Sequence, residues 1–327
     1  MLGQATFSRA IFNRSIFSRA IFSQAIAARS QDLLGRLLPP LPFVARPGPD
    51  AVGRKPDSAP DDALLGRLGS LEVRLASSPA EIRRAQRLRY RIFFEDGPAT
   101  ATFTARLLRR DADRFDPLCE HLLVIDHATR DVHGPAVVGT YRLQRQEIAA
   151  AHRGFYSAGE FRIDDLVARH RHLKFLELGR SCVLPPYRNK RIVELLWHGI
   201  WSYVRRHDLD VMIGCASLDG TDPHGLSLPL SFLHHFAKAP EDWQVSALAS
   251  RRIEMNRMPK TAIDPRAALR ALPPLIRGYL RLGAFCGDGA VIDHSFGTTD
   301  VLIVLPVSAI NARYIEHFGA DAERHAA

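Results

Sequence analysis

Leu176-Glu177-Leu178-Gly179-Arg180-Ser181-Cys182-Val183, running straight into Leu184-Pro185-Pro186-Tyr187-Arg188-Asn189-Lys190-Arg191, is the stretch on which the fold is read. An apolar run of strand length carries one acid and one base. It stops at a proline pair, and a basic cluster opens the next segment. There the apolar positions Ile192, Leu195, Leu196, Ile200 and Tyr203 recur at helical spacing. The expectation is a strand over Phe175 to Val183, a basic turn, and a helix from Lys190 to about His207. A helix start carries unpaired N–H groups and positive dipole potential, so it favours an anion. A core strand feeding a solvated helix accounts for the same residues without a ligand.

Outward from this stretch, Leu71, Val73 and Leu75 alternate as in a strand with one buried face. Ser78-Pro79-Ala80-Glu81 is a capping box with proline at the first helical position. The helix it opens carries Arg83, Arg87 and Arg91 at four-residue steps, with Arg84 beside them. Like charges at that spacing repel, and either an anionic partner or solvent would relieve them. Glu120 to Asp126 and Ala136 to Leu143 read as strands around the turn Asp131-Val132-His133-Gly134-Pro135. Further strands are expected over Asp210 to Ala216, Arg252 to Asn256, Ala290 to Asp293 and Val301 to Leu305. Helices are expected over Leu226 to Phe236 and near Leu275 to Leu282. The order β-α-β-β-β-α-β-α-β argues for α/β layering.

The 327 residues are 46% hydrophobic, enough for a sizeable core, and the formal net charge is +9. That excess favours an anionic partner: an acidic carrier protein, an anionic membrane surface or nucleic acid. No zinc-finger spacing and no aromatic-plus-basic single-strand motif is present, which argues against nucleic acid. Cys119, Cys182, Cys215 and Cys286 form no Cys-x-x-Cys pair and sit in apolar settings, as small buried thiols in a reducing cytosol do. No apolar run approaches the ~20 residues that span a bilayer. His170 and His172, like His234 and His235, read as surface or core residues, and no ligand cluster has metal spacing.

Residues 6–25 repeat every five residues, as in Ile11-Phe12-Asn13-Arg14-Ser15 and Ile16-Phe17-Ser18-Arg19-Ala20. Five residues turn a helix through about 500°, so the phenylalanines do not stay on one face. With the Pro/Gly-rich stretch 39–62, this predicts a basic, disordered tail and linker over residues 1–62. Its arginines and phenylalanines are weakly attracted to an anionic membrane surface. A catalytic domain is expected over 63–310, with its structure starting near Leu71, and a C-terminal tail over 311–327.

The Glu177–Val183 block followed by Tyr187-Arg188-Asn189 resembles the fourth-strand signature of the ornithine Nα-acyltransferases, which are GNAT-type enzymes. Other blocks match in the family's order, including Arg89-Tyr90-Arg91-Ile92-Phe93-Phe94-Glu95, Asp113-Arg114-Phe115-Asp116, Cys119-Glu120-His121-Leu122-Leu123-Val124, Gly154 to Phe161 and Gly214 to Pro223. The resemblance runs from roughly Leu71 to Val307. A weaker one reaches the acyl-homoserine lactone synthases, through the Glu-x-x-Arg step, Asp113 with Asp116, and His121-Leu122. It implies a GNAT-type α/β fold, a mixed and mostly antiparallel sheet flanked by helices, with a C-terminal extension. It also implies transfer of a 3-hydroxyacyl group from acyl carrier protein to the α-amine of L-ornithine, giving lyso-ornithine lipid. The enzyme would be cytoplasmic, peripheral on the inner membrane, and without a bound cofactor or metal.

Roles follow from that resemblance. Glu177 would accept the amine proton or orient the amine, and Arg180 would hold the amino-acid carboxylate. In a regular strand the two point to opposite faces; a bulge at Gly179 would bring them together. An ion pair between them is the structural alternative. Arg188, Lys190 and Arg191, with the amides from Asn189 onward, would bind the single phosphate of the carrier's phosphopantetheine. Typical GNAT enzymes have a glycine-rich loop there for coenzyme A; its absence favours a carrier-protein donor. Arg83, Arg84 and Arg87 would meet the carrier's acidic surface. Asp113, Asp116, Asp219 and Asp222 are candidates for the ornithine side-chain ammonium, although aspartates also cap turns. Another amino-acid acceptor, a lactone synthase, and a non-catalytic carrier- or membrane-binding module are the rival readings.

Overall fold

A ten-stranded sheet organises the chain in a computed structural model that describes residues 63–310. The tail and linker expected over 1–62 and the tail over 311–327 lie outside the described residues. The strands are β1 Leu64–Leu68, β2 Leu71–Leu75, β3 Glu120–Asp131, β4 Gly134–Arg145, β5 Phe175–Val183, β6 Val211–Asp219, β7 Arg252–Ile253, β8 Phe285–Cys286, β9 Ala290–Asp293 and β10 Thr298–Pro306. They lie in the order β1-β2-β3-β4-β5-β6-β10-β9-β7, with β8 also on β10. Among these pairings only β5–β6 is parallel. The helices are α1 Pro79–Tyr90, α2 Phe103–Leu108, α3 Gln146–Ala151, α4 Ile163–Arg169, α5 Lys190–Arg206, α6 Ser227–Phe236, α7 Pro265–Ala271 and α8 Pro274–Leu282.

The central strands are covered on both faces, which explains their nearly unbroken apolar runs. Along β10, Val301, Ile303 and Leu305 join the core under α5, whereas Leu302 and Val304 join a second cluster on the opposite face with Phe161, Ile163 and Leu166. Helix α5 packs on β1, β2 and β3, and α1 packs across β3, β4 and β5. Side chains two apart share a face. The columns of that second cluster therefore run on into polar residues at one end of the sheet. Phe175 leads to Glu177, Ile213 to Cys215 and Ser217, Leu302 to Asp300, and Val291 to Asp293.

Two local details depart from the sequence reading. Strand β1 lies ahead of the expected start at Leu71. Its Gly66 breaks the alternation because a Cβ there would strike the His198 ring of α5. At the start of α1, Ser78 caps as expected, accepting from the Glu81 N–H at 3.3 Å. The Glu81 carboxylate, however, reaches back to the Ser77 N–H and to Arg74 instead of closing the box on Ser78. Burial raises its pKa, but these partners outweigh burial and bring it to about 2.

Candidate active site

Strands β5 and β6 pair only from Phe175 to Glu177 and from Val211 to Ile213, and then part. Gly214 sits at the fork, where a Cβ would collide with the Leu178 carbonyl oxygen. The wedge opens into a cavity of about 530 Å³. Gly179, Arg180 and Ser181 line it from β5; Cys215, Ser217 and Asp219 line it from β6. Two strands that separate while anchored at one end give a fixed cleft through the sheet, with backbone polar groups freed from the ladder.

A β-bulge falls on the wall of this cleft. Thr140 pairs with Cys182 and Arg142 with Gly179, so Arg180 and Ser181 together face one β4 residue. Arg180 has φ of 50°, a left-handed conformation uncommon outside glycine. The expected distortion is present, one step along from Gly179. Arg180 is thereby turned over the Tyr156 ring at 4.9 Å and over Phe296 at 4.6 Å.

Behind Arg180 runs an alternating ladder of arginines and aspartates. Arg89 pairs with Asp111 and Asp116, each at 2.8 Å. Arg142 pairs with Asp113 at 2.7 Å and Asp116 at 3.3 Å. Arg180 pairs with Asp111 at 3.3 Å and Asp113 at 3.2 Å. Burial pushes the Asp116 carboxyl up, but Arg89 and Arg142 outweigh it and hold the group well below the usual carboxylate range. Asp113 and Asp116 are thus counter-ions in this ladder, Asp113 to Arg142 and Arg180 and Asp116 to Arg89 and Arg142. Arg89, Asp111 and Arg142 join the site although nothing in their spacing marks them.

Glu177 and Arg180 do not pair with each other among the described residues. Glu177 lines the cavity and is 5% exposed. Its carboxylate accepts the Tyr156 N–H at 2.7 Å, the Ser157 N–H at 2.8 Å and the Ser157 hydroxyl. It therefore also ties the segment after α3 to β5. Burial raises its pKa despite these bonds. Directly across the ladder is Gln144, which is 2% exposed and lines the same cavity. Its Oε1 has no partner among the described residues.

The cavity also has an acidic part. Asp293 and Asp300 line it at 8% and 6% exposure, with Asp219 at the mouth. Glu160 lies against them, and its carboxylate, the Cys215 thiol and the Asp300 carboxylate have atoms within 4.8 Å of one another. Sequence spacing gave no sign of this cluster, since its members come from three distant segments: Cys215 on β6, Asp300 on β10 and Glu160 in the turn before α4. Burial first, and then the Asp300 charge, lift the Glu160 pKa to about 7; burial also raises Asp300.

The remaining predicted residues divide. Arg188 lines the cavity at its mouth and donates from Nε to the Val183 carbonyl at 3.0 Å. Asn189 caps α5, accepting the Ile192 N–H, and its own N–H is bound to the Tyr187 carbonyl at 2.8 Å. Lys190 pairs with Glu194 at 3.2 Å, and the Arg191 guanidinium lies by Gly69 in the β1–β2 turn. Only Arg188 of the four reaches the cavity. On α1, Arg83 and Arg87 are exposed, whereas Arg84 is tied down by Asp131 and the Pro135 carbonyl. Asp222 is exposed and caps its own turn through the N–H groups of His224 and Gly225.

All four cysteines are unpaired thiols. Cys182 is buried at 6% exposure, and burial pushes its pKa up to about 12, the opposite of an activated nucleophile. Cys182→Ala is expected to keep most of the parent's turnover, and intact-mass spectrometry during turnover should find no acyl group on this residue. A trapped thioester on Cys182 would reverse that assignment.

Residues 88–198 match the acetyltransferase (GNAT) domain family. An L-ornithine N(alpha)-acyltransferase of Brucella abortus is 54% identical over 264 residues, covering 81% of this chain and 94% of the relative. The chain belongs to the L-ornithine N(alpha)-acyltransferase family. Relatives with the same name come from Agrobacterium fabrum, 52% identical over 84% of this chain and 94% of the relative, and from Rhodobacter capsulatus, 41% identical over 78% and 96%. Among solved structures, FeeM, an N-acyl amino acid synthase from uncultured soil microbes, covers 75% of this chain and 97% of its own at 10% identity and a TM-score of 0.42. As a member of this family the chain is a GNAT-fold acyltransferase, and its bulged β5 and the fork to β6 lie at the centre of the cavity just described. No described helix is long and apolar enough to cross a membrane.

Proposed function

We propose that this chain transfers a 3-hydroxyacyl group from an acyl carrier protein thioester to the α-amine of L-ornithine, giving lyso-ornithine lipid. Family membership supplies the acceptor. The observation that carries the reading is the cavity at the fork of β5 and β6, which is lined by the buried Arg142, the half-buried Arg180 and the buried Glu177. Arg142 and Arg180 suit the acceptor's carboxylate, since arginine binds carboxylates through paired donors.

A thioester already has a good leaving group, so the protein has three tasks: placing the amine, taking its proton and stabilising the oxyanion. The amine nitrogen attacks the thioester carbon; a C–N bond forms and the C–S bond breaks. The amine proton passes to Glu177, which then returns it to the departing thiolate, giving the pantetheine thiol and restoring the carboxylate. The backbone of the Arg180–Ser181 bulge, released from the regular β4 ladder, is suited to receive the oxyanion. Glu177 lies on the same strand, three residues earlier, within the same cavity.

For the donor, Arg188 at the mouth suits the single phosphate of phosphopantetheine, and Arg83 and Arg87 suit an acidic carrier. The turn from Leu184 to Asn189 has no glycine to cradle a pyrophosphate. The unpaired cysteines suit the reducing cytoplasm, with the tail of residues 1–62 assigned to loose inner-membrane contact. The test is to supply the purified chain with L-ornithine and either 3-hydroxyacyl carrier or the matching coenzyme A thioester, and to identify the product by mass spectrometry. An N-acyl ornithine formed faster from the carrier supports the reading. A lactone, or no acylated amino acid, refutes it. The double charge reversal Arg83→Glu with Arg87→Glu is expected to raise KM for the carrier about tenfold at low salt and leave kcat in place. The gap to the parent should narrow as salt screens the parent's own attraction. An unchanged KM removes these two residues from docking.

A further inference from the structure

Asp293 and Asp300 are diagonal neighbours on the β9–β10 ladder, both more than nine-tenths buried. Among the described residues neither forms an ion pair, and neither does Asp219. Glu160 has one ion-pair partner, Arg251 at 3.3 Å, whose side chain is 39% exposed, and it accepts a weak bond from the Cys215 thiol at 3.4 Å. Polar neighbours do exist: Thr298 donates its hydroxyl to Asp300 at 2.9 Å, with Ser217 also bonded to it, and Asp293 Oδ1 accepts the Ser295 N–H at 2.8 Å, the Ser295 hydroxyl at 2.5 Å and the Phe296 N–H at 3.1 Å. Buried carboxylates this close together are costly without a cation between them. The same cavity holds a second unmet need, the buried Gln144 Oε1, which has no N–H donor among the described residues. Arg142 and Arg180 line the same cavity, and the Arg180 charge also reaches Asp300. Two places that want an ammonium thus share one enclosure with two guanidinium groups that want a carboxylate.

We infer that Asp300 and Asp293, with Glu160 behind and Asp219 at the mouth, form a subsite for a second ammonium group, the side-chain ammonium of a diamino acid acceptor. The inference rests on the amino-acid acyltransferase reading above and adds to it the feature that selects a basic side chain over a neutral one. In this arrangement Gln144 and Glu177 receive the α-amine, Arg142 and Arg180 receive the carboxylate, and the acidic part receives the distal ammonium. The burial and mutual charge that raise Glu160 and Asp300 are the strain that such a cation would relieve.

The test compares kcat/KM for L-ornithine and for L-norvaline, which has the same carbon skeleton without the distal ammonium, in the parent and in Asp300→Asn. The parent is expected to prefer ornithine strongly, because a site built for a charged group leaves its partners unpaired with the neutral analogue. Asp300→Asn keeps the shape and an acceptor oxygen for Thr298. It should reduce the ornithine-to-norvaline ratio about 10²-fold, the equivalent of losing a charge-assisted hydrogen bond. Its Tm should equal or exceed the parent's, since one buried like charge is removed. A lowered Tm with an unchanged ratio would show a merely structural aspartate and overturn the inference; Asp293→Asn repeats the comparison should the first variant fail to fold. Ornithine activity abolished by EDTA and restored by a divalent cation would make Glu160, Cys215 and Asp300 a metal seat and equally overturn it. A parent that acylates neither amino acid would instead refute the acyltransferase reading, whereas a parent that acylates both equally well refutes only the subsite.

Discussion

Glu177→Gln is expected to lower kcat by about 10²–10⁴-fold, the usual loss when a general base is removed. The substitution keeps shape but removes the group that takes the amine proton. It also has a structural consequence that must be separated. One carboxylate oxygen becomes an amide NH2, facing N–H or O–H donors from Tyr156 and Ser157. Leaving a buried donor unpaired costs about 1–3 kcal/mol, so some loss of Tm is expected as well. Two readouts distinguish the roles. The first is pH. Burial holds the Glu177 pKa above its ordinary value, so the parent's activity should fall as pH drops through that raised value. The variant lacks this base, and its rate should climb as alkali frees the substrate amine, so the defect narrows at high pH. The second readout is Ser157→Ala, which deletes one of the bonds to Glu177 and leaves the base. It should lose far less turnover than Glu177→Gln. If the two variants are equally impaired, with defects independent of pH, Glu177 is a positioning residue for the Tyr156–Ser157 segment and not the base.

The sheet was legible because its determinants are local. Strand β5 is bounded by the proline pair and α5 by Asn189 and its apolar stripe; both lie where the pattern puts them. The hairpin of β3 and β4 turns where Gly134 and Pro135 lie. Short elements were not legible. Strand β1 and helices α2, α3, α4 and α7 span 5 to 7 residues each, too few for a period to emerge. Around the site, Glu177 and Arg180 were visible as charges inside an apolar run. Their partners were not. For Asp113 and Asp116, the sequence does not reveal that Arg89 and Arg142 arrive beside them. Likewise Glu160, Asp293 and Asp300 are inconspicuous in the chain: Asp293 and Asp300 meet because β9 and β10 pair, and Glu160 joins them from the turn ahead of α4. Helix caps illustrate the same limit: Asn189 reads as part of a phosphate turn, yet its side chain and N–H are both spent locally.

The largest effect on stability is expected from Arg89→Ala, a residue outside the cavity. Arg89 is 0% exposed and serves Asp111 and Asp116 at once. Removing one partner of a buried ionic cluster costs about 3–5 kcal/mol, because the other charges are left uncompensated. For a domain of this size that corresponds to a fall in Tm of about 6–20 °C. The exposed Arg83→Ala on the same helix should stay within about 0.5 kcal/mol of the parent. The pH dependence identifies the cause. In the parent, Asp116 is held below its ordinary pKa, so its contribution is complete above the unfolded aspartate value of about 3.9 and is lost as pH falls through the lower folded value. Without Arg89, burial dominates at Asp116, and acid no longer removes a favourable ion pair there. The stability gap between parent and variant should therefore shrink as pH falls from 7 toward 3. Denaturant titrations across that range would decide it, and a constant gap would mean that Arg89 acts by filling space. Activity should fall as well, since Asp111 also holds Arg180, and a wall that loses its counter-ion ladder no longer presents its guanidinium at a fixed place in the cavity.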